Sequence, residues 1–209
     1  MNGTGWSIKL YNAADEVIWA AKLNLLWLLG TLLSGVVLGV GPATLAAFSL
    51  ARRRSFGESF HALPAFWVAI RAEFRRGTVL VLPIVGAAVV LIGNYLYFAS
   101  LGAPAALPRL ASLGALVALG VITAYLLPMA VHYDLRIREL LPKASLVALA
   151  RPASSALLLF VALCVGYGSI HFPVLGIVLA AGGWIQLNTW LCLRFFAENE
   201  ARLLLKGNS

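Results

Sequence analysis

The sequence predicts an all-α, polytopic membrane helical bundle, and three observations carry that prediction. Of 209 residues, 61% are hydrophobic and 11% charged, against about 45–50% and about 25% in ordinary soluble chains. Mean hydropathy is +0.90. The apolar residues gather in five long runs with the charged residues between them. Eight acidic and sixteen basic side chains cannot coat a water-facing surface of this size, and the same scarcity of charge excludes disorder. Runs of about 19–24 residues match a hydrocarbon core about 30 Å thick at about 1.5 Å of helix per residue. Each run must be helical, because lipid offers no partner to an open backbone group.

The first span is expected near 18–40. Gly39 and Gly41-Pro42 then interrupt a run that stays apolar to Ala51. Proline removes an intrahelical bond and clashes with the preceding turn, so a break or kink belongs here. Residues 42–50 are too few to cross the bilayer again and are expected to extend as a helix toward the basic loop. Within 56–76, Phe56, Phe60, Leu63, Phe66, Trp67, Ile70 and Phe74 recur at spacings of three and four, one face of a helix. Pro64 suits its first turn. Two compatible readings follow: an interfacial helix in the headgroup region, or a helix packed on the cytoplasmic ends of the spans. Spans two and three are expected near 78–99 and 110–131. A second, weaker amphipathic segment covers 135–149, where Leu135, Leu140, Leu141 and Leu146 alternate with Arg136, Arg138, Glu139 and Lys143. Spans four and five fall near 153–171 and 173–196, completing a single membrane domain over 1–209. Both amphipathic segments lead through an arginine and a helix breaker into a two-helix hairpin, which suggests a parallel internal repeat.

Thirteen of the sixteen basic residues lie in two loops and the tail. Six arginines lie in 52–76, four basic residues in 136–151, and Arg194, Arg202 and Lys206 end the chain. Basic residues in alternate loops mark cytoplasmic loops, so the expected partner is the bilayer and not nucleic acid. Five spans with a cytoplasmic tail place the N-terminus outside; a re-entrant pair of half-helices over 18–51 would instead bring it to the cytoplasmic side. The first span is expected to act as its own insertion signal, since no basic region followed by a cleavage site precedes it. Cys164 and Cys192 lack metal-ligand spacing and read as small core residues.

Intramembrane polar residues are functional candidates because burying them is costly. Lys22 sits where it can snorkel. Asn24, Asn94, Gln186 and Asn188 are explained by interhelical hydrogen bonds, with a polar path as the alternative for the last two. His132 and Asp134 suggest a local contact at the end of the third span. No metalloprotease, nucleophile-elbow or phosphate-loop motif is present, and no acidic residue falls at the middle of a span. The expected catalytic, cofactor and metal sites are therefore none.

Leu23-Asn24-Leu25-Leu26-Trp27 followed by Gly41-Pro42-Ala43-Thr44 resembles the opening of the YesL-like family of bacterial integral membrane proteins. The resemblance continues through Phe66-Trp67, Glu73-Phe74, Pro128, His132-Tyr133-Asp134, Lys143-Ala144 and Pro152, in order and at the expected spacing. Its C-terminal third carries no diagnostic motif. Members of the family are often encoded beside carbohydrate-uptake ABC transporters and polysaccharide-degradation genes. The resemblance therefore implies a plasma-membrane protein with an accessory or assembly role in carbohydrate ABC-type uptake, and ABC importer subunits as partners. A small-solute transporter acting as a homo-oligomer and a membrane enzyme on lipid or glycan are the alternatives. Asn24, Trp27, Gly41, Pro42, Thr44, Trp67, Glu73, His132 and Asp134 are the positions expected to matter.

Overall fold

The computed structural model describes residues 3–133 and 135–207. Among them lie seven α-helices: α1 Gly3–Leu33, α2 Val40–Ser55, α3 Ala62–Ser100, α4 Ala106–His132, α5 Ile137–Ala150, α6 Pro152–His171 and α7 Pro173–Gly207, with a short 3-10 turn at Ala103–Ala105. Five helical stretches are long and apolar enough to cross a membrane: Ser7–Leu33, Ala62–Ser100, Ala103–His132, Pro152–His171 and Pro173–Glu198. Each contains or overlaps one of the five expected spans. The all-α bundle is as the composition predicts, and the chain is a multi-pass membrane protein.

The first span ends earlier than its hydropathy suggests. The chain turns between Leu33 and Val40, using positive backbone φ at Gly35 (84°) and Val36 (30°). Gly41-Pro42 therefore does not break a helix. Pro42 lies in the first turn of α2, where its missing N–H has no helical acceptor to lose. Beyond the turn α2 folds back along α1: Trp27 Nε1 donates to Thr44 Oγ1 at 3.0 Å, and Arg54 Nη2 reaches Asp15 at 2.6 Å and Glu16 at 3.3 Å. The leading part of α1 consequently stands at the same end of the bundle as Arg54. This corrects the expectation that the first span carries the N-terminus to the opposite side from the basic loop. It does so without the re-entrant half-helices of the alternative: α1 is one helix, and its Ser7–Leu33 stretch is long and apolar enough to cross a membrane.

Helix α2 runs on toward the basic loop as expected, with Arg52, Arg53 and Arg54 in its last turn. It is also the centre of the molecule, packed against α1, α3, α4 and α7. Ala43, Leu45, Ala46, Ala47, Phe48, Leu50 and Ala51 are all buried. Its alanines and Gly41 let neighbouring backbones approach closely, which is how helices associate where no hydrophobic drive operates between them. A β-carbon added at Gly41 would strike the Gly77 carbonyl, and one added at Gly77 would meet Pro42 Cα at 2.7 Å.

The amphipathic stretch before the second span is continuous with it: α3 runs unbroken for 39 residues through Gly77. Pro64 occupies its first turn as expected. Phe66 and Ile70 are buried beside Gly30 of α1, so this part of the stripe packs on the bundle, whereas Phe56, Leu63 and Phe74 stay exposed. Helix α5 is separate, and its Leu141, Leu146 and Leu149 stay exposed.

The remaining helices are tied at both ends. Asn188 and Phe196 of α7 meet Ala124 and His132 of α4, which makes those two helices parallel. Trp19 and Asn24 of α1 meet Gln186 and Ile177 of α7, so this pair is antiparallel. Helix α6 returns against α7, with Gly176 beside Ser169 at one end and Arg151 near Glu198 at the other.

Candidate functional site

Several polar side chains within the bundle bond backbone groups of other helices. Pro128 interrupts α4, and the carbonyl it frees, four residues earlier, is that of Ala124. Asn188 Nδ2 donates to this oxygen at 3.0 Å, and Cys192 Sγ lies 3.6 Å away. In the turn before α2, the Leu38 carbonyl lies 3.2 Å from Thr78 Oγ1 of α3. The Thr78 hydroxyl shares its proton with the Phe74 carbonyl at 2.8 Å. Thr44 donates to Val40 O at 2.6 Å while accepting from Trp27. Asn24 clamps α1 to α7, donating to Ile177 O at 2.7 Å and accepting from Gly182 N at 3.0 Å.

A different kind of site forms between α2, the N-terminal part of α3 and the C-terminal end of α4. A cavity of about 220 Å³ is lined by Ser49, Glu73, Arg76 and the stretch from Ala130 to Tyr133. Arg76 Nη1 lies 3.7 Å from Glu73 Oε1, one helical turn away, and Arg76 Nη2 donates to Leu135 O at 3.2 Å. The other Glu73 oxygen, Oε2, is buried and accepts no hydrogen bond. Arg52 Nε donates to His132 Nδ1 at 3.3 Å. In that bond Nδ1 is the acceptor, so the ring proton sits on Nε2. The imidazole is stacked between Phe56 at 6.4 Å and Phe196 at 5.5 Å. The arrangement offers an acceptor at Glu73, a hydroxyl at Ser49 and guanidinium donors within one small space. It suits a small polar ligand or a water-filled hydrogen-bond network. Among the described residues no group of three or more His, Cys, Asp or Glu side chains could hold a metal ion.

The model of a family described as a protein of unknown function, DUF624, matches residues 20–95. The uncharacterized protein YesL of Bacillus subtilis (strain 168) is 32% identical over 143 residues, 68% of each chain. The chain belongs to the YesL-like family. YesV of the same organism, also uncharacterized, is 32% identical over 158 residues, 72% of this chain and 73% of that protein. YteU, a third uncharacterized protein of that strain, is 34% identical over 90 residues, 43% of this chain and 38% of its own length. No solved structure matches.

The YesL-like motif residues divide between these two settings. Asn24, Trp27, Gly41, Pro42 and Thr44 shape the α1–α2 hairpin and its contacts. Glu73 and His132 line the polar cavity, with Glu73 facing an arginine as expected. Trp67 is half-buried against the core. Asp134 lies outside the described residues. Thr78 and Gly182 escaped the sequence reading, and Gly77, the expected helix breaker, instead lies inside α3 against Pro42. A proline inside an apolar run does announce an open carbonyl, but the helix supplying the donor is set by packing.

Proposed function

We propose that this YesL-like protein is a non-catalytic accessory or assembly subunit for carbohydrate ABC-type uptake, with its basic end in the cytoplasm. The observation that carries the non-transporting part is the use of the deep polar side chains. Asn24, Gln186 and Asn188 each bond a partner on another helix, so the groups a solute would need along the bundle are occupied in holding it together. Carbohydrate uptake comes from the family resemblance. Orientation follows from Arg52, Arg53 and Arg54 with Arg136 and Arg138, by the preference of such loops for the cytoplasm. Exposed Leu141, Leu146 and Leu149 on α5, beside Lys143, give a partner an apolar face with a basic edge.

Affinity purification of the tagged protein in a mild detergent tests the proposal. Recovery of permease or solute-binding subunits supports it, and repeated recovery of the chain alone overturns it. The cavity with the unpaired Glu73 oxygen favours a second reading, a small-solute transporter acting as a homo-oligomer. Proteoliposome uptake that stays at background across a sugar panel removes that alternative.

A further inference from the structure

We propose that the cleft between α1 and α7 binds one phospholipid with a primary-ammonium headgroup, an inference independent of the accessory role. The cleft measures about 690 Å³. Its depth is apolar, formed by Val17 and Ala20 on α1 and by Leu179, Gly183 and Leu187 on α7. Its rim is polar, with Glu16, Arg54 and Gln186. An apolar trench under a polar rim is the shape of an amphiphile.

The rim charges specify the headgroup. Asp15 and Glu16 both approach the same nitrogen, Nη2 of Arg54, at 2.6 and 3.3 Å. Two carboxylates around one guanidinium leave a surplus of negative charge, and more than half of each carboxylate side chain is exposed. Across the rim, the Arg194 guanidinium lies 4.8 Å over the ring of Trp190, a residue lining the cleft. Acidic groups on α1 and a cation on α7 complement a zwitterion, with its ammonium on the carboxylates and its phosphate beside Arg194. A primary ammonium donates hydrogen bonds to carboxylates, whereas a quaternary one has no N–H to give. An anionic headgroup meets repulsion from Asp15 and Glu16. Trp190 lines the cleft, and indole rings favour the headgroup level of a bilayer.

The test uses the full chain in nanodiscs of equimolar dioleoyl phosphatidylethanolamine, phosphatidylglycerol and phosphatidylcholine, followed by mild delipidation and native mass spectrometry. One phosphatidylethanolamine is expected to remain in preference to the other two, and glycerophosphoethanolamine is not expected to displace it. Gly183→Phe should abolish retention. A β-carbon at Gly183 meets no atom within 4 Å, so the ring fills the cleft, and an unchanged thermal unfolding profile shows the fold is kept. The double variant Asp15→Asn, Glu16→Gln should lower retention roughly three- to fivefold, the loss of a partly exposed ion pair. Equal retention of all three lipids overturns the headgroup assignment. Full retention by Gly183→Phe, or no lipid retained by the native chain, overturns the site. Displacement by glycerophosphoethanolamine shows that the headgroup alone binds and overturns the lipid as ligand.

Discussion

Replacing Asn188 with leucine should destabilise the bundle only while Pro128 is present. The side chain is fully buried, and its amide supplies the Ala124 carbonyl with a donor that Pro128 cannot. In Asn188→Leu that oxygen retains only the Cys192 thiol at 3.6 Å, a weak donor. An unsatisfied buried acceptor costs about 1–3 kcal/mol, and measured interhelical bonds in membranes reach about 1.7 kcal/mol. A loss of about 1–2 kcal/mol is therefore expected. In Pro128→Ala the backbone N–H of residue 128 is restored and bonds Ala124 within the helix. There the same Asn188→Leu change should cost less than about 0.5 kcal/mol, a coupling of about 1 kcal/mol between the two positions. Titration of helicity with sodium dodecyl sulfate in mixed micelles, across the four members of this double-mutant cycle, measures it. Equal cost of Asn188→Leu in both backgrounds refutes the idea that the asparagine serves the carbonyl freed by proline.

Three further outcomes follow from the same geometry. Gly77→Ala should destabilise by about 1–3 kcal/mol through overpacking against the Pro42 backbone, despite the roughly 1 kcal/mol helix preference of alanine over glycine; Gly86→Ala in the same helix, whose β-carbon meets nothing within 4 Å, should be neutral or stabilising in the same titration. Asn24→Leu loses two bonds between α1 and α7 and should cost about 1–2 kcal/mol, whereas a cost no larger than that of Leu25→Ala at an exposed position would show that the clamp contributes nothing. Single cysteines from Tyr11→Cys and Glu58→Cys, made with Cys164→Ser and Cys192→Ala, should react with an impermeant maleimide from the same side of the membrane; labelling from opposite sides would exclude the α1–α2 hairpin.

The legible part of this fold was the part governed by local composition. Long apolar runs without charges mark helices in lipid wherever they occur, so all five spans could be located to within a few residues at several of their ends. The amphipathic face over 56–76 was legible for the same reason, and Phe66 and Ile70 occupy the buried side it predicts. Helix α2 was harder to see. It is too short for a span and carries Arg52, Arg53 and Arg54 at its end. Its alanines reveal their purpose only once four neighbouring helices surround them. The polar cavity was half visible: Glu73 and His132 stood out as motif residues, but nothing in their spacing joins positions 59 residues apart.

The amino-acid order alone determined that the chain dissolves in lipid as helices and that its basic residues share the loops, because transfer of apolar and charged groups between water and hydrocarbon depends on each residue's chemistry. Only the tertiary structure decided that α2 folds back along the first span and becomes the core, and that Asn188 completes the carbonyl opened by Pro128. Those outcomes depend on whether two backbones can touch, as at Gly41 and Gly77, and on where an opposite charge waits, as Asp15 does for Arg54. Close approach and ion pairing are properties of pairs distant in sequence, and a hydropathy pattern carries no information about which pairs will meet.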